Sequence, residues 1–137
     1  MSRRARSDLA PAPAIVSMRY EPIAAQSRGD AEAALRRDDP TELLRVPLAA
    51  SLHTDDRQWA EQLCARLAMH ADPYVRGNAI LGFGHLARRF GMVDWQLVQP
   101  LLQRALTDPH PHVRGQAASA ADDLRDFAGQ ALPNDSE

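Results

Sequence analysis

The chain has 137 residues and a formal net charge of −2, with 45% hydrophobic and 5% aromatic side chains. This length fits one domain with a real core, and the interspersed charges exclude a global field that would point to nucleic acid or an anionic membrane. Cys64 is the only cysteine, which excludes an intramolecular disulfide and a cysteine-based metal cluster and is compatible with a reducing compartment. The longest uncharged apolar stretch, Ala79 to Gly84, is far too short to span a membrane.

Both ends of the chain lack helical periodicity. Residues 1–18 carry Arg, Ala and Pro, and residues 133–137 are polar and uncapped, so a disordered N-terminal tail and a flexible C-terminal tail are predicted. The basic start resembles an export signal, but Pro11 and Pro13 interrupt its short apolar stretch, which disfavours export. An over-extended start, with Met18 as the real first residue, is the alternative.

The first helical segment, residues 19–53, predicts a loosely specified hairpin that caps the domain. Asp30 precedes a short alanine-rich helix that runs to Arg37, and Asp39-Pro40-Thr41 opens a second helix. The apolar residues of the second helix are Leu43, Leu44, Leu48 and Leu52.

Residues 54–91 predict a more regular pair of helices. Thr54 or Asp55 is the expected N-cap of the first helix, which runs to about His70. One face of this helix carries Trp59, Leu63 and Leu67 at four-residue spacing.

The second helix of this pair has clear start and stop signals. Asp72 is the expected N-cap, Pro73 takes the first helical position, where a missing N–H group costs nothing, and Gly91 ends the helix after about Phe90. Its apolar stripe consists of Val75, Ala79, Phe83, Leu86 and Phe90.

Residues 92–132 predict another helix pair. Asp94 caps its first helix, Asp108-Pro109 and Pro111 form the turn, and the second helix runs to about Leu132. The first helix presents Leu97, Leu101 or Leu102, and Ala105 or Leu106. The stripe of the second is Val113, Ala117, Ala120 or Ala121, Leu124 and Ala128. No strand pattern appears in the sequence.

These two pairs are copies of one unit. A shift of 38 places produces nine identities over the 29 positions from Leu63 to Gly91, without a gap. The identical residues are Leu63/Leu101, Arg66/Arg104, Pro73/Pro111, Val75/Val113, Arg76/Arg114, Gly77/Gly115, Ala79/Ala117, Leu86/Leu124 and Gly91/Gly129. A two-helix repeat of this length buries its inner face only by stacking on its neighbours.

The Asp-Pro-Val-Arg-Ala pattern, from Asp72 to Ala79 and again from Asp108 to Ala117, resembles the HEAT-repeat family. The resemblance implies an all-α fold, a short right-handed α–α solenoid with one domain at 19–132, divided into a degenerate capping hairpin at 19–53 and repeats at 54–91 and 92–132. It also implies structural roles for Arg76 and Arg114, because the family's Arg commonly bonds an inter-helix Asp in a ladder. The Asp-to-Arg spacing differs, with four residues in one copy and six in the other.

By the same resemblance, the second helices line the concave side of the stack, which is the usual binding surface. Helical wheels place a set of residues on these helices opposite the buried stripes, basic on one helix and acidic on the next. The predicted partner-binding residues are Asn78, Leu81, His85, Arg88, Arg89, Gln116, Ser119, Asp122, Asp123 and Asp126. An ordinary solvated face is the alternative interpretation for each single residue. Gly82 and Gly84 inside a helix indicate close approach of a neighbouring helix or a ligand.

Other constellations give weaker signals. His110, His112 and the nearby carboxylates Asp108, Asp122 and Asp123 invite a metal site, but the histidines flank a proline in a turn with poor ligand spacing, so no metal is predicted. Trp59 and Trp95 are expected to pack at the core or at helix ends, with a partner hot spot as the alternative. No phosphate loop, nucleophile elbow or zinc-helix motif is present, and no cofactor or catalytic residue is predicted.

The string from Arg76 to Arg88, followed by Val113-Arg114-Gly115 and Asp122-Asp123-Leu124, is similar to small HEAT-repeat immunity proteins of bacterial polymorphic-toxin systems. This resemblance, over about residues 20–132, implies a non-enzymatic, cytoplasmic protein that binds and neutralises a cognate toxin domain. The acidic residues suit a basic partner such as a nuclease.

Two other classes of function stay open at this point. One is a structural adaptor in a larger assembly, which the sequence does not separate from immunity. The other is enzymatic, because HEAT-like repeats also occur in bilin lyases and alkylation-repair DNA glycosylases. Few aromatics and near-neutral charge disfavour the glycosylase, so no nucleic-acid partner is expected.

Overall fold

The computed structural model describes residues 22–133. The predicted tail at 1–18 lies outside the described residues, as does the predicted tail at 133–137 except for its first residue. Within residues 22–133 the chain forms seven helices and no strand, which confirms the all-α prediction; the handedness of the array stays a prediction. The helices are α1 (Arg28–Arg37), α2 (Pro40–Leu43), α3 (Val46–His53), α4 (Arg57–Leu67), α5 (Pro73–Phe90), α6 (Trp95–Leu106) and α7 (Pro111–Ala128).

The helices form three consecutive hairpins. α1 leads through the short α2 into α3, α4 pairs with α5, and α6 pairs with α7. The second helices lie side by side, with α5 between α3 and α7, and the contact between α5 and α7 is the most extensive in the described part of the chain. The core lies between the hairpins and is built mainly from Phe83, Ile80, Leu86, Leu102, Leu124, Val75 and Val113, all nearly inaccessible to solvent. Along residues 22–133, no helix is both long and apolar enough to cross a bilayer.

The predicted start and stop of α5 are confirmed. The Asp72 carboxylate accepts hydrogen bonds from the backbone N–H groups of Tyr74 and Val75, at 2.8 and 3.2 Å. Gly91 closes the helix in the left-handed conformation, with φ of 71°. Gly129, its equivalent in the next repeat, does the same with φ of 67°. The prediction that α7 continues to about Leu132 is therefore wrong, because this conformation ends the helix at Ala128.

The first hairpin departs most from prediction. The expected single helix after Asp39 is broken into α2 and α3 at Leu44 and Arg45. Pro47, at the start of α3, has no N–H group to donate, and its ring clashes with a helical carbonyl four residues earlier, which favours a break in the helix before it. The chain bends there, and α3 gains its own direction against α5.

Two N-caps also lie away from their predicted positions. Ser27, not Asp30, caps α1: its hydroxyl accepts the N–H of Asp30 at 2.9 Å. Asp56, not Thr54 or Asp55, caps α4. In both segments several capping residues stand close together, and the structure uses the one whose side chain reaches the N–H group three residues later.

A charged ladder step joins the two regular repeats. Arg76 donates two hydrogen bonds to the carboxylate of Asp108 in the next repeat, at 2.8 and 2.9 Å. Its remaining nitrogen donates to the carbonyls of His70 and Ala71. The Asp108 side chain is 9% exposed, and its hydrogen bonds from Arg76 hold the pKa of its carboxyl below the ordinary value. Arg76 is therefore structural, as the family resemblance implied.

The unequal Asp-to-Arg spacing has a simple origin. In the second repeat the N-cap of α7 is His110, whose ring Nδ1 accepts the N–H of His112 at 3.1 Å. Asp108 is consequently not needed as a helix cap, and its carboxylate is available to accept the hydrogen bonds from Arg76. Arg114 repeats the other half of the pattern, donating to the carbonyls of Asp108 and Pro109 at 2.8 and 3.0 Å.

The two unusual glycines of α5 allow close helix approach. A Cβ atom at Gly82 would lie 2.8 Å from the Cys64 sulfur of α4, and one at Gly84 would lie 3.2 Å from the Cα atom of Ala120 in α7. Both distances are shorter than ordinary contacts. Of the two explanations that the sequence left open, neighbouring helices account for both glycines.

Candidate partner-binding face

One stripe of α5 faces away from the core. Its residues step by four, three, four and three positions, and each is partly or fully exposed while the opposite side of the helix is buried. The residues of this stripe are Tyr74, Asn78, Leu81, His85 and Arg88. Their equivalents on α7 are His112, Gln116, Ser119, Asp123 and Asp126. Because α5 and α7 lie side by side, the ten residues form one surface, called here the second-helix face.

Hydrogen bonds run across the centre of this face. Gln116 donates from its side-chain amide to the side-chain oxygen of Asn78 at 2.9 Å, and Asn78 donates in turn to the backbone carbonyl of Leu44 at 3.0 Å. Asn78 and Gln116 occupy equivalent positions, so this row links all three hairpins. Both were predicted to contact a partner, but their side chains are already engaged within the protein, and their first role is to hold the face together.

A second cluster lies nearer the C-terminal ends of α5 and α7. Arg88 and Asp123 approach to 3.9 Å, and the Arg88 guanidinium lies 4.9 Å from the centre of the Phe127 ring. Arg89, predicted as part of the same surface, instead donates to the backbone carbonyl of Ser51 in α3 at 2.9 Å. The face is therefore less sharply divided into a basic and an acidic half than predicted. Arg88 partly neutralises the charge of Asp123, and Arg89 points toward α3.

The most accessible part of the predicted set is acidic. The side chains of Asp122 and Asp126 are 66% and 60% exposed, and Arg125 lies 2.9 Å from the first and 3.6 Å from the second. Asp126 lies in the last turn of α7, where a carboxylate faces the negative end of the helix dipole at a cost of about 0.3–1 kcal/mol. The position of Asp126 is therefore unfavourable for the helix dipole, and the nearby Arg125 offsets part of that cost.

Sequence analysis missed two exposed aromatic residues at opposite ends of the face. Tyr74 is 49% exposed, and its ring lies 5.1 Å from that of His110 and 4.7 Å from that of His112. Phe127 is 44% exposed. The helical wheel contained the signal, since Tyr74 precedes Asn78 by four residues and Phe127 follows Asp123 by four. Exposed aromatic side chains are frequent anchors of protein interfaces.

The residues considered for a metal site do not converge. Across residues 22–133, no three side chains of His, Cys, Asp or Glu come close enough to hold a metal ion. The rings of His110 and His112 are 6.4 Å apart and pack on Tyr74, and Asp108 is engaged by Arg76. These polar groups serve the turn between α6 and α7.

Both tryptophans lie away from the second-helix face. Trp59 is partly buried against the core, with its indole N–H 3.4 Å from Glu32 and Arg28 stacked 4.9 Å from its ring centre. Trp95 is also partly buried against the core. Their positions favour the packing role over the hot-spot alternative.

Cys64 is fully buried, as expected of a core residue. Burial, with a smaller contribution from the charge of Glu61, raises the pKa of the thiol to about 12. We expect no reaction of the native protein with an aromatic disulfide reagent at about pH 8, because the thiolate is the nucleophile. Unfolding in guanidinium should release one reactive thiol per chain; rapid labelling without denaturant would contradict this burial.

Two histidines of the second-helix face are expected to make the stability of the protein depend on pH. Burial lowers the pKa of His85, although the nearby Asp123 carboxylate acts in the opposite direction. Burial and then the charge of His110 lower the pKa of His112. Below the ordinary value of 6.5, the unfolded chain therefore binds protons at these positions that the folded chain does not.

The free energy of unfolding should accordingly be highest above this value and fall as the pH decreases through the folded pKa values. Urea unfolding from about pH 8 to about pH 5 measures the slope, and His85→Gln should reduce it. Above about pH 7 the curves of variant and wild type should run parallel. An unchanged slope in the variant would show that His85 is not the responsible group.

Comparison with known proteins identifies a family and a similar solved structure. A family model described as HEAT repeats matches residues 60–133. Among solved structures, one similar chain belongs to the crystal structure of a CDI complex from Cupriavidus taiwanensis LMG 19424, with 26% sequence identity and a TM-score of 0.70. The similarity covers 79% of this chain and 96% of that chain. No curated protein is significantly similar in sequence.

Proposed function

This chain belongs to the HEAT-repeat family, and we propose that it is a non-enzymatic immunity protein that binds and neutralises a cognate bacterial toxin domain. The observation that carries the proposal is the structural similarity to nearly the full length of a chain from a CDI complex. CDI denotes contact-dependent inhibition, in which a toxin is paired with an immunity protein. A chain that shares this fold over its described helices is suited to the same kind of partner.

The second-helix face, extended by Asp122 and Phe127, is the surface that we assign to the toxin. Its central row of hydrogen bonds links the turn between α2 and α3 to α5 and α7, while its two ends offer Tyr74 and Phe127 as apolar anchors. The exposed carboxylates of Asp122 and Asp126 complement a basic toxin surface, which would also relieve the unfavourable position of Asp126 in the last turn of α7. Neutralisation takes place in the cytoplasm of the producing cell.

Co-expression with the protein encoded beside it tests the proposal. We expect the two proteins to purify as one complex and the HEAT-repeat chain to restore the growth of cells that express the toxin domain. A complex without growth rescue would favour a structural adaptor, and absence of both effects would refute the immunity function.

Surface variants locate the interface within such a complex. Tyr74→Ala and Phe127→Ala should each weaken binding by about tenfold or more, since exposed aromatic anchors contribute heavily to interface energy. Asp126→Arg should weaken binding to a basic toxin and reduce the salt dependence of association. Gln96→Ala, exposed at the start of α6 in the first-helix layer, serves as the matched control and should leave affinity unchanged. Isothermal titration calorimetry provides the comparison.

A further inference from the structure

A cavity of about 450 Å³ lies between the turns of the two regular hairpins, away from the second-helix face. The turn from α4 to α5 forms one wall through Met69 and Ala71, and the turn from α6 to α7 forms another through Thr107 and Pro109. Arg104, near the end of α6, also lines the cavity. His70, Arg76 and Asp108 complete the lining, so the recess combines apolar side chains with two arginines and one carboxylate.

Two arginines border this recess, but only Arg76 has its hydrogen-bonding groups fully occupied within the protein. All the guanidinium nitrogens of Arg76 donate to Asp108 or to backbone carbonyls. Arg104 instead donates to the sulfur of Met69 at 3.6 Å, and a thioether is a weak acceptor. Among residues 22–133, no carboxylate oxygen lies within 4.0 Å of the Arg104 guanidinium.

The equivalent arginine of the preceding repeat shows what Arg104 lacks. Arg66, 38 positions earlier, reaches back to the carboxylate of Glu32 in the first hairpin at 3.7 Å. Arg104 reaches back in the same way but meets the side chain of Met69. The two arginines occupy equivalent positions in their repeats, and Arg66 pairs with a carboxylate. The described part of the chain provides no carboxylate for Arg104.

We propose that this recess binds an acidic side chain, Asp or Glu, of a protein partner. The carboxylate pairs with the Arg104 guanidinium, and the methylene groups pack against Met69, Ala71 and Pro109. The proposal rests on the protein-binding function argued above, but it concerns a separate surface at the hairpin turns. A toxin bound across the second-helix face could engage both surfaces.

The charge balance favours a carboxylate over a phosphate. Asp108 neutralises Arg76, which leaves one uncompensated cation for a ligand that enters the recess. Nucleic-acid phosphates are bound by several cations acting together, whereas one guanidinium and one carboxylate form a complete pair. The Met69 thioether also offers a polarisable contact suited to an aliphatic stem.

The test uses the full chain with ¹³C-methyl-labelled methionine, since Met69 reports on the recess and Met92, in the loop between α5 and α6, reports on a different part of the surface. A tetraglutamate peptide is the probe and a tetraglutamine peptide is its uncharged control. We expect a saturable shift of the Met69 methyl resonance with tetraglutamate, with a dissociation constant on the order of 10 mM, because a charge-assisted ion pair and the packing of methylene groups act together. The Met92 resonance should not move.

Two matched variants separate the recess from general charge effects. Arg104→Gln should abolish the Met69 shift, whereas Arg66→Gln, which removes the equivalent arginine, should retain it. Retention of the shift in Arg104→Gln, or an equal shift with tetraglutamine, overturns the proposal. A larger response to duplex DNA than to tetraglutamate assigns the recess to phosphate and also overturns it.

The outcome is distinguishable from that of the immunity test. A selective Met69 response together with failure of toxin binding and rescue refutes the immunity function but supports the recess. An absent Met69 response beside a stable toxin complex overturns the recess alone.

Discussion

Replacing Arg76 by alanine is expected to lower the free energy of unfolding by about 2–4 kcal/mol. The substitution removes two charge-assisted hydrogen bonds to Asp108 and two bonds to backbone carbonyls, and it leaves a largely buried carboxylate without its cation. Urea denaturation at about pH 7, followed by circular dichroism, measures the change. The loss should be accompanied by weaker docking of the second repeat on the first, because Asp108 is the point where their turns meet.

A double-mutant cycle with Asp108→Ala isolates this contact. The sum of the stability losses in the two single variants should exceed the loss in the double variant by about 1 kcal/mol or more. The reason is that each single substitution already removes the same ion pair. Arg114→Ala is the matched control at the equivalent position, where the described bonds are to two backbone carbonyls, and it should cost less than Arg76→Ala. If the two substitutions of the cycle are additive, the ladder step does not couple the repeats.

The Asp108 carboxyl gives the same contact a pH signature. Hydrogen bonds from Arg76 lower its pKa in the folded state, so the stabilisation is complete above its ordinary value of 3.8 and is lost as the pH falls through the lower folded pKa. This window lies well below that of His85 and His112. Below about pH 4, the free energy of unfolding should therefore decrease less steeply with falling pH in Arg76→Ala than in the wild-type protein.

Gly84→Ala is expected to destabilise the protein by about 1–2 kcal/mol, even though alanine is the better helix former by about 1 kcal/mol. The added Cβ atom would lie 2.9 Å from a carboxylate oxygen of Asp123 and 3.2 Å from the Cα atom of Ala120, so the Asp123 side chain must turn away and α5 and α7 must move apart by a few tenths of an ångström. Thermal unfolding and urea denaturation both report the effect.

Gly115→Ala provides the opposite control on the neighbouring helix. A Cβ atom at Gly115 meets nothing within 4 Å, so the substitution keeps the packing and gains helix propensity. We expect stabilisation by about 0.5–1 kcal/mol. A stabilising Gly84→Ala would mean that the two helices do not approach as closely as described.

The sequence predicted the start and end of α5 well because their signals are local. Asp72, Pro73 and Gly91 define α5 by capping chemistry that does not depend on the rest of the fold. The first hairpin was harder because its critical residue, Pro47, lies within a run of apolar residues that reads as one helix. The end of α7 was misplaced because the apolar stripe alone was followed, while Gly129 carries the stop signal.

The predicted site could be located on the correct helices but not resolved in detail. A helical wheel shows which residues point away from the core, but it does not show which groups of the adjacent helices contact them. The engagement of Asn78 by Gln116 and of Arg89 by Ser51 depends on the register between helices from different hairpins. The partner-binding role of the set itself stays a prediction.

The spacing of the ladder shows the same limit at a single residue. From sequence alone, Asp108 before Pro109 looks like another helix cap, because aspartate before proline commonly has that role. Only the contacts show that His110 has taken over the cap and that Asp108 belongs to the boundary between repeats.

The row of bonds from Leu44 through Asn78 to Gln116 also bears on the kinetics of association. Because it immobilises the middle of the surface before any partner arrives, little conformational entropy remains to be lost on docking. Complexes of such preorganised surfaces differ among related partners mainly in how slowly they dissociate. Substitutions among the exposed side chains around the row can then retune residence time from one partner to another, while the helices beneath keep their arrangement.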